Sequence, residues 1–134
     1  MKRKLVKLIE LPKISTDGFL CFAQYPDHIP FPIKRIYYIG NVSGGAVRGA
    51  HTHKKNEQVL FCIQGSVKIV LDDGYKKDSV LLKNPNVGVL LEPKVWHEMH
   101  NFKKDTILLV LASRKHEEED YVRSYEEFLK IIKK

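Results

Sequence analysis

The chain has 134 residues, 43% hydrophobic and 29% charged, with a formal net charge of +7. This balance describes a globular chain with a core of ordinary size and excludes a disordered segment; the longest apolar run, "ILLVLA", is far too short to cross a bilayer as a helix. The basic excess favours an anionic partner, but Lys2, Arg3, Lys4, Lys7, Lys130, Lys133 and Lys134 sit near the ends and no nucleic-acid motif occurs, so solvated lysines are expected rather than a nucleic-acid surface.

The opening "MKRKLVKLIELP" starts like a signal peptide, but Lys7, Glu10 and Pro12 interrupt its apolar part and no small-residue cleavage site follows. A mature cytoplasmic protein with no membrane association is expected. Cys21 in "FLCFA" and Cys62 in "LFCIQ" lie in apolar surroundings without a CxxC, so both read as buried thiols. "IKRIYYIGNV" is rich in β-branched and aromatic residues and ends at the turn-forming "SGGA". In "SVKIVLDDG", Val67, Ile69 and Leu71 share one strand face, and Gly74 closes a hairpin turn before "SVLLK". "NPNVG" marks another turn, "VGVLLEP" a strand stopped by Pro93, and "TILLVLAS" a strand buried on both faces. Many short strands with regular turns predict an all-β sandwich or barrel. The C-terminus departs from this: Tyr125, Phe128, Leu129 and Ile132 recur at helical spacing, Ser124 and Glu127 form a capping box, and Lys130, Lys133 and Lys134 suit the helix C-terminus. No repeat or linker interrupts the pattern, so residues 1–134 are expected to form a single domain.

The chemistry concentrates in "RGAHTHKKNEQ". His51 and His53 face the same way on an extended strand, and Glu57 has the same parity unless a bulge intervenes. His97 in "VWHEMH" is a further candidate. Three imidazoles and a carboxylate suit iron, manganese, nickel or zinc, so a metal-dependent enzyme with His51, His53, Glu57 and His97 as ligands is one reading. The alternative is metal-free acid–base chemistry, for which histidine is suited near neutral pH.

The spacing G-x5-H-x-H-x3-E, formed by Gly45, His51, His53 and Glu57, resembles the first cupin motif, with Gly65 falling one residue late. Pro93, His97 and Asn101 resemble a degenerate second motif. Taken in order, "FPIKRIYYI", the histidine stretch through "LDDG", "NPNVGVLLEPKVWHEMHNF", "ILLVLAS" and "EEDYVRSYEEF" look like the dTDP-4-keto-6-deoxyglucose 3,4-ketoisomerases of the cupin superfamily. These sugar isomerases act in making deoxyamino sugars for bacterial glycans.

The resemblance implies a cupin jelly-roll β-barrel with a short C-terminal α-helix. It also implies a homodimer, with an N-terminal strand exchanged between subunits in many members, and catalysis with neither metal nor other cofactor. The implied substrate is a dTDP-linked 4-keto-6-deoxy sugar, whose ketone moves from C4 to C3 through an enediol. His51 is then the base for the C3 proton, and His53 its partner in relaying protons. Arg48 is the first candidate for the diphosphate and Arg123 the second, because a guanidinium can clamp phosphate with two parallel hydrogen bonds. Tyr37 or Tyr38 presents a phenol to the sugar, since neighbouring strand residues face opposite ways. Trp96 is a candidate for stacking on thymine or sugar, with core packing as the competing role. His97 is expected to touch an enediolate oxygen or to hold Glu57, and Gln58 to act as a polar support. One departure concerns the "RGxL" pattern common in the family: here "TDGFL" places Asp17 where arginine often stands, which leaves the C4 stereochemistry of the product open.

Overall fold

The computed structural model describes residues 4–133; Lys134 and the first three residues, including Lys2 and Arg3, lie outside them. In chain order the strands are β1 (Leu8–Glu10), β2 (Lys13–Ile14), β3 (Leu20–Cys21), β4 (Arg35–Gly40), β5 (Arg48–His53) and β6 (Gln58–Gln64). They continue with β7 (Val67–Asp72), β8 (Lys77–Leu82), β9 (Val87–Leu91), β10 (Trp96–His100), β11 (Ile107–Ala112) and β12 (Tyr121–Val122), and the chain ends in helix α1 (Tyr125–Ile132). Two five-stranded sheets form, ordered β1-β9-β6-β11-β4 and β12-β5-β10-β7-β8, with β2 and β3 as a separate hairpin. The strand pairs are antiparallel, and the sheets face one another as the jelly roll expected from sequence.

Period-two alternation decides what lies between the sheets. Leu60, Cys62, Val89, Leu91, Leu108 and Val110 of the first sheet meet Val67, Ile69, Leu71, Leu82 and Met99 of the second in one buried cluster. Two further layers cover the outside. Leu11, Ile29 and Phe31 pack on Val59, Phe61 and Leu111 behind the first sheet. Phe128 of α1 packs on Trp96 and Val122 behind the second. The layer of Leu11, Ile29 and Phe31 over Leu111 explains why β11 is apolar on both faces.

Helix α1 forms as its capping and periodicity predict. The Ser124 hydroxyl accepts the Glu127 N–H at 3.4 Å, and the Tyr125 hydroxyl donates to Asp72 Oδ2 at 2.7 Å. Gly74 has φ +92°, and a Cβ there would lie 1.8 Å from Ile132 Cδ1, so the predicted hairpin turn also serves as the seat of the helix. Both cysteines are free thiols; Cys62 is buried, whereas Cys21 on the outer hairpin is only half-buried, contrary to expectation. Asp17 sits in the β2–β3 turn at φ +48° and is exposed. No helix among the described residues is long and apolar enough to cross a membrane.

Candidate active site

At one end of the sandwich a cleft opens between the sheets, lined by Arg35, Tyr37 and Ile39 of β4, Arg48, Gly49 and His51 of β5, Met99 of β10, and His116 and Tyr121. How Arg48 reaches it is not obvious, because strict alternation puts Arg48 and His51 on opposite faces. A β-bulge resolves this. His97 pairs with His51 and Glu98 with Gly49, leaving Ala50 unmatched. Gly49 (φ +81°) and Ala50 (φ +57°) absorb the extra residue. Gly49 is also a close approach: a Cβ would stand 3.3 Å from the His97 carbonyl oxygen. The bulge turns Arg48 to the cleft side, opposite inward-facing Met99.

Three imidazoles gather here, and among the described residues one ring nitrogen from each of His51, His53 and His97 lies within 4.8 Å of the others. His51 packs edge-to-face on His97 (centroids 4.6 Å) and His53 (5.1 Å). The Tyr121 ring covers His51 and His53 at 5.1 and 4.5 Å. Of the three histidines, only His51 lines the cleft. His53 and His97 lie beneath it at 3% and 1% exposure, and His53 Nε2 and both His97 ring nitrogens have no hydrogen-bond partner. Burial depresses the basicity of all three: His51 moves below its ordinary value, His53 falls to about 4 and His97 well below its ordinary value. Neighbouring imidazoles add to the effect at His53 and His97. The cluster is therefore neutral at pH 7.

Hydrogen bonding settles the His51 tautomer. Its Nδ1 lies 3.0 Å from the Gly49 carbonyl oxygen. A carbonyl only accepts, so Nδ1 carries the proton and Nε2 is left with the basic lone pair. Opposite stands Tyr37, whose hydroxyl donates to Gln58 Oε1 at 2.8 Å. Burial, reinforced by Tyr121, pushes the phenol up to about 12, so it stays protonated.

Glu57 does not join the histidines. Residues 54–57 form a turn that leaves one sheet for the other, so the parity argument stops at His53. The Glu57 backbone binds Ser113, and its carboxyl is pushed up by partial burial and by Glu92. The next residue, fully buried Gln58, takes the inward position, with its amide oxygen committed to Tyr37. The residues present therefore do not assemble the expected set of three imidazoles and a carboxylate; in place of the carboxylate stands an uncharged amide.

Other expected site residues separate by face. Tyr37 lines the cleft, while Tyr38 points outward at 73% exposure. Trp96 is also on the outer side: it is 6% exposed, packs against Tyr125 and Phe128, and donates to Glu98 Oε2 at 2.9 Å. It is a core residue beneath α1, not a stacking platform. Arg123 lies over the Tyr121 ring, 4.4 Å from its centroid, and pairs with Glu118 at the rim. Asp17 does not line the cleft. Sequence reasoning missed Arg35, His116 and Tyr121. Arg35 carried a usable signal, the same strand parity as Tyr37. Tyr121 lay within "DYVRSY", but His116 in its charged loop carried none.

Comparison with known proteins shows what the chain is similar to. Residues 4–133 match the family model described as FdtA: WxcM-like, C-terminal. The chain is 46% identical over 129 residues to TDP-4-oxo-6-deoxy-alpha-D-glucose-3,4-oxoisomerase of Aneurinibacillus thermoaerophilus, covering 96% of this chain and 93% of that protein. The sugar 3,4-ketoisomerase QdtA of Thermoanaerobacterium thermosaccharolyticum, solved with TDP, superposes with a TM-score of 0.93 at 42% identity, over 96% of this chain and 94% of that one. A histidine-to-asparagine variant of the same enzyme, solved with TDP-4-keto-6-deoxyglucose, gives a TM-score of 0.95 at 40% identity, over 98% and 96% of the two chains.

Proposed function

This chain belongs to the FdtA family, and from that membership we propose that it is a nucleotide-sugar 3,4-ketoisomerase converting TDP-4-keto-6-deoxyglucose to a TDP-3-keto-6-deoxyhexose. The observation that carries the reading is the neutral His51, held by the Gly49 carbonyl so that Nε2 is its basic atom. In the first half-reaction His51 removes the C3 proton as O4 gains one, leaving a C3–C4 enediol. In the second, C4 gains a proton as O3 loses one, and the ketone stands at C3. An imidazole that burial holds toward its neutral form suits the base role.

Tyr37 supports the sugar. Its proton is committed to Gln58, so the lone pairs of its oxygen are free to accept from a sugar hydroxyl. His53 and His97 keep the His51 ring packed and neutral from below. The burial of His53 favours a supporting role over direct contact with C4. Arg48, on the cleft wall and without an ion-pair partner among the described residues, is assigned to the diphosphate; Arg123 stands by at the rim.

The protein is read as a homodimer. Ile36, Tyr38 and Ile63 on the outer side of the first sheet are 63%, 73% and 43% exposed, with Leu8, Phe19 and Leu20 exposed on the N-terminal segment. β1 pairs with β9 of its own chain, and strand exchange would replace that pairing with the partner's in the same register. Light scattering tests this reading, and a monomer would refute it.

The decisive experiment is incubation with TDP-4-keto-6-deoxyglucose in deuterated water, followed by proton NMR. Isomerisation with deuterium entering the sugar is expected, and it should persist in the presence of a chelator. Binding without exchange would indicate a non-catalytic sugar-nucleotide module. Activity abolished by chelation would restore the metal-dependent reading.

A further inference from the structure

The cleft wall contains no acidic residue, yet it carries two arginines from opposite sheets, Arg35 of β4 and Arg48 of β5. Arg35 is half-buried, lies over the Tyr37 ring with Cζ 5.2 Å from its centroid, and has a buried Nε without a hydrogen-bond partner. No carboxylate forms an ion pair with it among the described residues. Its side-chain partner is instead an imidazole: Nη1 lies 3.1 Å from His116 Nδ1. A guanidinium only donates, so Nδ1 must accept and the ring proton of neutral His116 resides on Nε2. That nitrogen lies 3.4 Å from Glu118 Oε2, which favours the same tautomer. A half-buried guanidinium whose Nε is buried without a partner and which faces no carboxylate has donor capacity that an anion would complete.

We propose that Arg35 is a second diphosphate anchor, closing on the nucleotide from the sheet opposite Arg48, and that His116 is the positioning residue that holds its guanidinium in place. This deepens the nucleotide-sugar reading and rests on it. The two arginines bracket the mouth above His51, so the charge they bind tethers the sugar ring over the base. Holding Arg35 through a neutral acceptor rather than a carboxylate leaves its charge available to the ligand.

The test is calorimetric titration of the full chain with TDP and, separately, with thymidine. Arg35→Gln should weaken TDP binding at least about tenfold, the usual scale for a lost charge-assisted hydrogen bond, and leave thymidine binding unchanged. His116→Ala should weaken TDP binding by roughly three- to tenfold, and His116→Gln should restore it, because an amide oxygen can replace the imidazole acceptor. Unchanged TDP affinity in Arg35→Gln, or an equal loss for thymidine, overturns the anchor. His116→Ala with wild-type affinity, or a Gln variant as weak as Ala, overturns the positioning role. Because binding is read without turnover, a wild type that binds TDP but does not isomerise the sugar refutes the catalytic reading alone. A wild type that does not bind TDP overturns the anchor itself.

Discussion

Acidification from pH 7 to 5 should destabilise the fold by about 2 kcal/mol through His53 alone. His53 titrates near 4 in the folded protein against 6.5 for a free imidazole. The unfolded chain therefore takes up this proton first. The contribution to stability is complete above the unfolded value and is lost as the pH falls toward the folded one. At pH 5 about 97% of unfolded imidazoles carry the proton against roughly 10% of folded ones, and at about 1.4 kcal/mol per unit this gives the stated loss. His51 and His97 are shifted the same way and add to it. Glu98, Glu117 and Glu118 are held below their ordinary value, so their losses come at lower pH, while Glu57 is shifted upward and opposes the trend weakly. Urea unfolding followed by the fluorescence of Trp96, the single tryptophan, reads the effect as a midpoint falling by about 1 M. His53→Gln should flatten much of the slope. A midpoint that stays constant or rises between pH 7 and 5 would show that the imidazoles are not buried as neutral groups.

Other consequences of the geometry are as direct. His51→Asn should abolish solvent-deuterium exchange at the sugar while TDP binding survives; near-normal exchange removes His51 as the base. Tyr37→Phe leaves Gln58 Oε1 buried without its donor, so it should cost roughly 1–3 kcal/mol of stability and lower kcat more than it raises KM; an unchanged kcat rejects contact with the sugar. Arg48→Ala should raise the Kd for TDP about tenfold, and unchanged affinity in a titration counts against its phosphate role. Gly49→Ala forces a side chain to φ +81° beside the His97 carbonyl, with an expected cost of about 1–2 kcal/mol and a reduced turnover rate. A variant as stable and active as the wild type would mean that the bulge does not set the position of His51.

Much of the fold was legible because its signals are local. The alternation of Val67, Ile69 and Leu71, the apolar run of β11 and the Ser124 cap each report their own backbone. The structure finds them buried, inside a sheet between β6 and β4, and capping, respectively. The histidines were legible as a pair for the same reason. The parity argument stops short of Glu57 because it holds only within one strand, and the turn at 54–57 resets it, bringing Gln58 inward instead. Trp96 illustrates a different limit. Its neighbour His97 packs inward beneath His51, so Trp96 lies on the opposite face of the strand, and only the packing of α1 there shows that this face is core.

The sequence by itself determined an all-β chain with a terminal helix, a paired-histidine centre and a phenol at either Tyr37 or Tyr38, because each follows from short-range periodicity and residue chemistry. Tertiary structure alone decided which groups share the cleft. The Gly49–Ala50 bulge turns Arg48 toward His51, against the parity of the strand. Pairing of β12 with β5 lays Tyr121 over the imidazoles, and facing of the two sheets sets Arg35 across from Arg48. These are long-range pairings, and no local pattern encodes which strand another will meet.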